Sequence, residues 1–228
     1  MNRQSKDGNI SWTDYTWNPI KGLCPVGCWY CYARAMYKRF KLDEDLRLHL
    51  VERLAPRFIK KPAKIFVCST IEIFHPRISA KWRDMIFSII NQCPQHTFQI
   101  LTKMPENIDR HMPDNVWLGV SAGDDLKKSA ERMRNFSKYI MQNEGFYFLS
   151  LEPLIYGDIS YCSFENVFPL FGWIIVGRLT GHGKRYDPPR KYIEGIVDNC
   201  QELQIPIFLK NNLKEIWGEK LIQKWPQC

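Results

Sequence analysis

Phe146-Tyr147-Phe148-Leu149-Ser150-Leu151 is a run in which only Ser150 is polar, and Glu152-Pro153 follows at once. A strand with one wet face alternates polar and apolar residues; this run does not. A short, near-continuous apolar run is the pattern of a strand covered on both faces, as in a parallel sheet. The pattern recurs in both directions along the chain. Upstream lie Val116-Trp117-Leu118-Gly119-Val120-Ser121, Thr97-Phe98-Gln99-Ile100-Leu101-Thr102 and Lys64-Ile65-Phe66-Val67-Cys68-Ser69. Downstream lie Trp173-Ile174-Ile175-Val176-Gly177 and Ile205-Pro206-Ile207-Phe208-Leu209-Lys210, and a further strand is expected near Tyr15 to Asn18. Between them fall helix-like stretches: Tyr32 to Leu54, Ala80 to Asn91, Asp125 to Gln142 and Arg190 to Leu203.

Strand and helix alternating throughout predict one α/β domain over residues 1–228 with right-handed crossovers. About seven βα steps are too few for a full eight-fold barrel. A partial, open TIM-like barrel and an open doubly wound sheet both remain. In either, chemistry belongs at the C-terminal ends of the strands. Polar residues gather there: Ser69-Thr70, Thr102-Lys103, Ser121, Ser150 with Glu152, Gly177-Arg178 and Lys210-Asn211.

The 228 residues are 45% hydrophobic and 14% aromatic, which excludes disorder and collagen-like structure. Apolar runs fall far short of the ~20 residues a membrane helix needs, and Met1 to Gly8 lacks the apolar segment of a secretory signal. A cytoplasmic protein with no membrane association is expected. The net charge of +8, with Lys38-Arg39-Phe40-Lys41, Arg57-Phe58-Ile59-Lys60-Lys61 and Lys184-Arg185-Tyr186 mixing cations and aromatics, fits a nucleic-acid partner. It fits the ordinary basic surface of amphipathic helices equally.

Eight cysteines in a chain of this length are not a disulfide framework. Cys68, Cys93, Cys162, Cys200 and Cys228 stand alone and read as small buried hydrophobes. Cys24, Cys28 and Cys31 form a group, Gly22-Leu23-Cys24-Pro25-Val26-Gly27-Cys28-Trp29-Tyr30-Cys31-Tyr32-Ala33, directly after the first expected strand. Thiolates at this spacing can converge on one metal centre. Structural zinc needs a fourth ligand, for which Cys68, His49 and His75 are the candidates. A 4Fe–4S cluster held by three thiolates leaves one iron open, and this fits the group better.

The C-x3-C-x2-C spacing with an aromatic before the third cysteine resembles the radical S-adenosylmethionine superfamily. That resemblance implies a partial TIM barrel with the cluster loop after the first strand. It further implies a 4Fe–4S cluster on Cys24, Cys28 and Cys31, with S-adenosylmethionine on the open iron. The reaction implied is formation of a 5′-deoxyadenosyl radical that abstracts hydrogen from a substrate, with electrons from a flavodoxin- or ferredoxin-like donor. A narrower resemblance spans nearly the whole chain: Ile10-Ser11-Trp12-Thr13-Asp14-Tyr15-Thr16-Trp17-Asn18-Pro19, Ser69-Thr70-Ile71-Glu72-Ile73-Phe74-His75, Leu101-Thr102-Lys103, Asn115 to Ser121 and Ser150-Leu151-Glu152-Pro153-Leu154 are similar to a phage-type three-cysteine family of unknown function. That family carries a Gly-Gly-Glu-Ser-Gly-like stretch where this chain has Gly177-Arg178-Leu179-Thr180-Gly181, so an acid is replaced by arginine.

On this reading Tyr30 makes a backbone contact to adenine, and Ser69 and Thr70 meet the methionine moiety. Ser121 and Glu152 hold ribose or substrate, while Lys103 and Lys210 bring positive charge near the cofactor carboxylate, unless they are solvated rim lysines. Asp14 and Asn18 position substrate or serve as turn and cap, and His75 reads as a loop histidine. The alternative function is a non-catalytic iron–sulfur or zinc protein, or a nucleic-acid-binding module that kept the fold.

Overall fold

The computed structural model describes residues 1–8, 10–49, 51, 54–155 and 167–227. Strand β1 (Asn2–Arg3) pairs antiparallel with β2 (Tyr15–Trp17), and β3 (Ile20–Lys21) with β4 (Arg47–Leu48) forms a separate antiparallel ribbon. From β2 the main sheet is parallel and runs through β5 (Lys64–Val67), β6 (Thr97–Thr102), β7 (Val116–Ala122), β8 (Phe146–Leu151), β9 (Trp173–Val176) and β10 (Ile207–Leu209). Each strand lies beside the one before it in the chain. A doubly wound sheet reverses its strand order at a switch point; this one does not, so the doubly wound alternative is overturned.

Helices α2 (Ala80–Asn91), α3 (Leu126–Ile140) and α4 (Arg190–Glu202) cross between strands, following α1 (Tyr32–Phe40). Their apolar stripes, among them Ile86 and Ile90, Met133 and Phe136, and Ile193 and Val197, join one core with the sheet residues Ile65, Ile100, Leu118, Leu149, Ile174 and Ile207. The helices therefore share one face of the sheet. The other face is filled by aromatics instead: Phe66, Trp117, Phe148, Trp173 and Phe208, gathered around Trp12.

That second cluster measures how far the sheet curls. Four strand spacings separate β5 from β9, roughly 19 Å if flat. Yet the Trp12 indole centroid lies 4.7 Å from Phe66 on β5 and 6.1 Å from Trp173 on β9. One ring touches both only if the sheet wraps around it. The two ends of the sheet are then linked through side chains. Asn211 Nδ2, just past β10, donates to the carbonyls of Lys6 and Gly8, and Trp225 Nε1 donates to that of Trp12.

The expected helix from Tyr32 to Leu54 is corrected: α1 stops at Phe40. Lys41 takes a left-handed conformation (φ 48°), which ends the helical hydrogen-bond ladder, and Leu42 N–H caps the Tyr37 carbonyl. The chain then turns back through Asp43–Asp45 so that β4 reaches β3. Gly22 (φ +111°) is needed at that crossing, since a Cβ there would stand 2.5 Å from the Asp45 carbonyl oxygen. Cys68, Cys93 and Cys200 are buried, as small hydrophobes should be; Cys162 and Cys228 lie outside the described residues. No helix among the described residues is long and apolar enough to cross a membrane.

Candidate metal centre and charged cluster

Alternation along the strands decides what faces inward at their C-terminal ends. The register pairs Ser121 of β7 with Ser150 of β8 and Ser150 with Ile175 of β9, continuing the aromatic inner face upward into polar residues. Beyond the last strand residues come Lys103, Glu152, Gly177 and Lys210. Gly177 is small for a reason: a Cβ there would lie 2.9 Å from Lys210 Cδ and 3.1 Å from Glu152 Cδ. Lys210 Nζ donates to Glu152 Oε1 across this gap, with the lysine side chain 6% exposed. Lys103 Nζ donates to Ser121 Oγ at 2.7 Å and lies 3.6 Å from Asp124 Oδ2. The rim-lysine expectation is therefore overturned for both lysines. They are tucked in because carboxylates wait for them there.

Asp124 ties this cluster to the cysteine loop. Its carboxylate accepts from Tyr30 OH at 2.6 Å and from Arg132 Nη1 at 2.5 Å. Burial pushes the Asp124 carboxyl up, but Lys103 and Arg132 outweigh it, helped by the hydrogen bonds from Arg132 and Tyr30, and hold it at about 2. Burial pushes the Tyr30 phenol up, and the neighbouring Asp124 charge adds to it. Burial lowers Lys103, against the pull of Asp124. Glu72 is buried beside them. Thr102 Oγ1 donates to its Oε1 and Lys103 N–H to its Oε2, both at 2.7 Å, while burial raises its carboxyl.

The cysteine loop enters over these strand ends. Cys24, Cys28 and Cys31 line one small, open pocket of about 20 Å3, together with Thr70, Arg34, Tyr37 and backbone at Gly22 and Gly27. Gly27 sits at φ +72°, a left-handed turn between the first two cysteines. Arg34 Nη2 donates to the Cys24 carbonyl at 3.1 Å, and Gly22 N–H donates to Tyr37 OH at 3.1 Å, so α1 braces the loop. Burial raises the Cys24 thiol, while backbone N–H groups of Val26 and Glu72 pull the other way by favouring its thiolate. The three thiols share a wall but are not drawn together. Among the described residues, no three His, Cys, Asp or Glu side chains are grouped to hold one metal ion.

The chemistry of the donor set can still be tested against the expected group. A single zinc demands donors about 2.0–2.3 Å from one point. A polynuclear cluster offers a different iron to each thiolate and accepts a wider spread. The pocket wall contains three thiols and no imidazole or carboxylate. Cys68 is buried, and His75 accepts from Arg77 N–H through Nδ1 in its own turn; neither lines the pocket. As donors, the described residues of the wall offer three thiols and no nitrogen or carboxylate oxygen ligand.

Of the residues predicted from sequence, Thr70 is on the pocket wall, Ser69 Oγ donates to Asn18 Oδ1 at 3.1 Å beside it, and Lys103, Ser121 and Tyr30 join one network through Asp124. Glu152 and Lys210 form the neighbouring pair. Asp14 is elsewhere: it precedes β2 and accepts from Lys64 N–H at 2.8 Å, at the opposite end of the strands, so its positioning role is withdrawn. Arg178 pairs with Asp187 (2.9 Å) and Glu215 (3.1 Å). Sequence reasoning assigned nothing to Glu72, Asp124 or Arg132. Glu72 had a signal, a lone charge among Ile71, Ile73 and Phe74; Asp124 stood beside the helix-capping Asp125.

No curated protein and no solved structure matches the chain significantly. The family model for a protein of unknown function, DUF5131, matches residues 7–224. That span takes in the whole parallel sheet, the cysteine loop and the charged cluster together, and the chain belongs to the DUF5131 family.

Proposed function

We propose that this protein is a radical S-adenosylmethionine enzyme on an open TIM-like βα barrel. The reading rests on one observation: Cys24, Cys28 and Cys31 share a pocket at the C-terminal ends of a sequentially ordered parallel sheet, and its wall supplies no fourth ligand. The curl of the sheet around Trp12 and the side-chain links across its seam favour the barrel over a flat sheet.

Bound together, the cluster and cofactor would supply one-electron cleavage of a sulfonium carbon–sulfur bond, giving methionine and a 5′-deoxyadenosyl radical that takes a hydrogen atom from substrate, with the electron from a flavodoxin- or ferredoxin-like donor. The chain's own residues do the holding. Cys24, Cys28 and Cys31 would ligate three irons, and Thr70 offers a hydroxyl on the same wall. The Lys210–Glu152 pair presents both signs of charge at the strand ends, matching the ammonium and carboxylate of an amino-acid moiety. Lys103 and Ser121 stand beside them, and Asp124 fixes the Tyr30 phenol and so the third-cysteine end of the loop. The aromatic inner face below closes the floor against water.

Anaerobic reconstitution with iron and sulfide should give a brown protein with about four irons per chain. With dithionite and S-adenosylmethionine it should form 5′-deoxyadenosine, and Cys28→Ala should lose both properties. Stoichiometric zinc without iron, or an intact cluster that never yields 5′-deoxyadenosine, would overturn the reading.

A further inference from the structure

The cysteine loop carries a side chain that its proposed chemistry does not use. Trp29, between Cys28 and Tyr30, is 55% exposed. A lone exposed ring is ordinary at a protein surface; exposed rings gathered together are not. Trp29 is not isolated. The segment after β9 comes up to meet it, placing His182 at 5.3 Å and Tyr186 at 5.2 Å between ring centroids. Arg185 lies over the Tyr186 ring at 4.7 Å. The three rings form an aromatic shelf where the cysteine loop meets the segment after β9.

The two segments that carry the shelf are rich in cations. Residues 21–41, which hold the loop and α1, include Lys21, Arg34, Lys38, Arg39 and Lys41 and no Asp or Glu. Residues 177–186 include Arg178, Lys184 and Arg185, again with no acid. Arg178 is committed to Asp187 and Glu215, but Lys184 and Arg185 are exposed. The nearest carboxylates are already paired, Asp187 with Arg178 and Asp124 with Arg132, so accessible rings beside the exposed cations Lys184 and Arg185 suit a ligand with flat π faces and a polyanionic backbone. Stacking on such rings is tolerant of base identity, while the cations follow the phosphates.

We infer that Trp29, His182 and Tyr186, flanked by Lys184 and Arg185, form a docking shelf for an unpaired nucleic-acid strand. The shelf delivers a nucleotide to the strand-end pocket. That the docked strand is also the substrate rests on the radical-enzyme reading; the docking itself does not. An acidic protein would meet the cations equally well but has no use for the rings, and the variants below separate the two.

The test is fluorescence anisotropy with labelled mixed-sequence 12-mers of single-stranded DNA, single-stranded RNA and duplex DNA, on the purified full chain before and after cluster reconstitution. Single strands should bind more tightly than duplex. Trp29→Ala and Tyr186→Ala should each weaken binding about 5- to 100-fold, the usual loss of a stacked base. The double variant Lys184→Ala/Arg185→Ala, on exposed positions that fold safely, should lower the log–log salt slope by about 1.4, roughly 0.7 per lost phosphate contact. Failure to bind any single strand, binding indifferent to both ring variants, or equal competition by poly-glutamate each overturns the shelf. Strand binding without 5′-deoxyadenosine formation would remove the reaction and leave the shelf; 5′-deoxyadenosine formation without strand binding would do the opposite.

Discussion

Replacing Asp124 by asparagine keeps the shape of the side chain and removes the charge on which Lys103, Arg132 and Tyr30 converge. Two arguments set the penalty. The carboxyl is held at about 2 in the folded protein, against roughly 3.9 in an unfolded chain, a difference worth on the order of 2–3 kcal/mol at neutral pH. Leaving buried cations without their partner costs about 3–5 kcal/mol by analogy with broken buried pairs. A loss near 3 kcal/mol at pH 7 satisfies both. The sign of the pH dependence follows from the depressed folded value. The stabilisation is fully present above about 4 and disappears as the pH falls toward 2, so at pH 3 only about 1.3 kcal/mol of the linkage part remains. Urea unfolding of both proteins at pH 7 and pH 3 measures this. A penalty equal at the two pH values, or below about 1 kcal/mol at pH 7, would show that the carboxylate is not the hub of the cluster.

Two further predictions concern the inner face. Gly119→Ala places a Cβ 2.4–2.6 Å from ring carbons of the fully buried Phe148; because that ring has no room to retreat, the variant should lose about 1–3 kcal/mol or more in chemical denaturation, and an unchanged midpoint would refute the packing. Trp12→Ala should cost about 3–5 kcal/mol, whereas Trp12→Phe should cost under about 1.5 kcal/mol, since the buried indole Nε1 has no hydrogen-bond partner to lose; equal losses in the two variants would show that the ring does not hold the curl.

The sequence and structure agree most closely where burial is two-sided. Thr97–Thr102 and Phe146–Leu151 are read to the residue, and Ala80–Asn91 as a helix likewise, because one period dominates each run. The stretch after Tyr32 misleads because Leu42, Leu46 and Leu48 keep a helical look with no proline or glycine to break it. What breaks it is the left-handed Lys41 and the pairing of Arg47–Leu48 with Ile20–Lys21, a contact between segments remote in the chain. The site divides in the same way. Thiols at short spacing announce themselves locally. Glu72, Asp124 and Arg132 do not, because the partners that justify burying a charge come from other strands and from α3, and pairing is fixed only by the fold.

Arg178 tells the same story from the other side. An arginine after β9 could have flooded the strand-end pocket with positive charge, yet its guanidinium leaves for Asp187 and Glu215. Gly177 remains, and through the space it keeps open Lys210 reaches Glu152. The carboxylate at this corner is thus supplied by the end of β8. In this cluster Lys103 and Arg132 face Asp124 and Lys210 faces Glu152, while Glu72 is held by the Thr102 hydroxyl and the Lys103 N–H. A site balanced in this way repays an incoming anion or cation poorly, because either must break a pair already made in a buried setting. A group carrying both charges can exchange partners with Lys210 and Glu152 at little electrostatic cost.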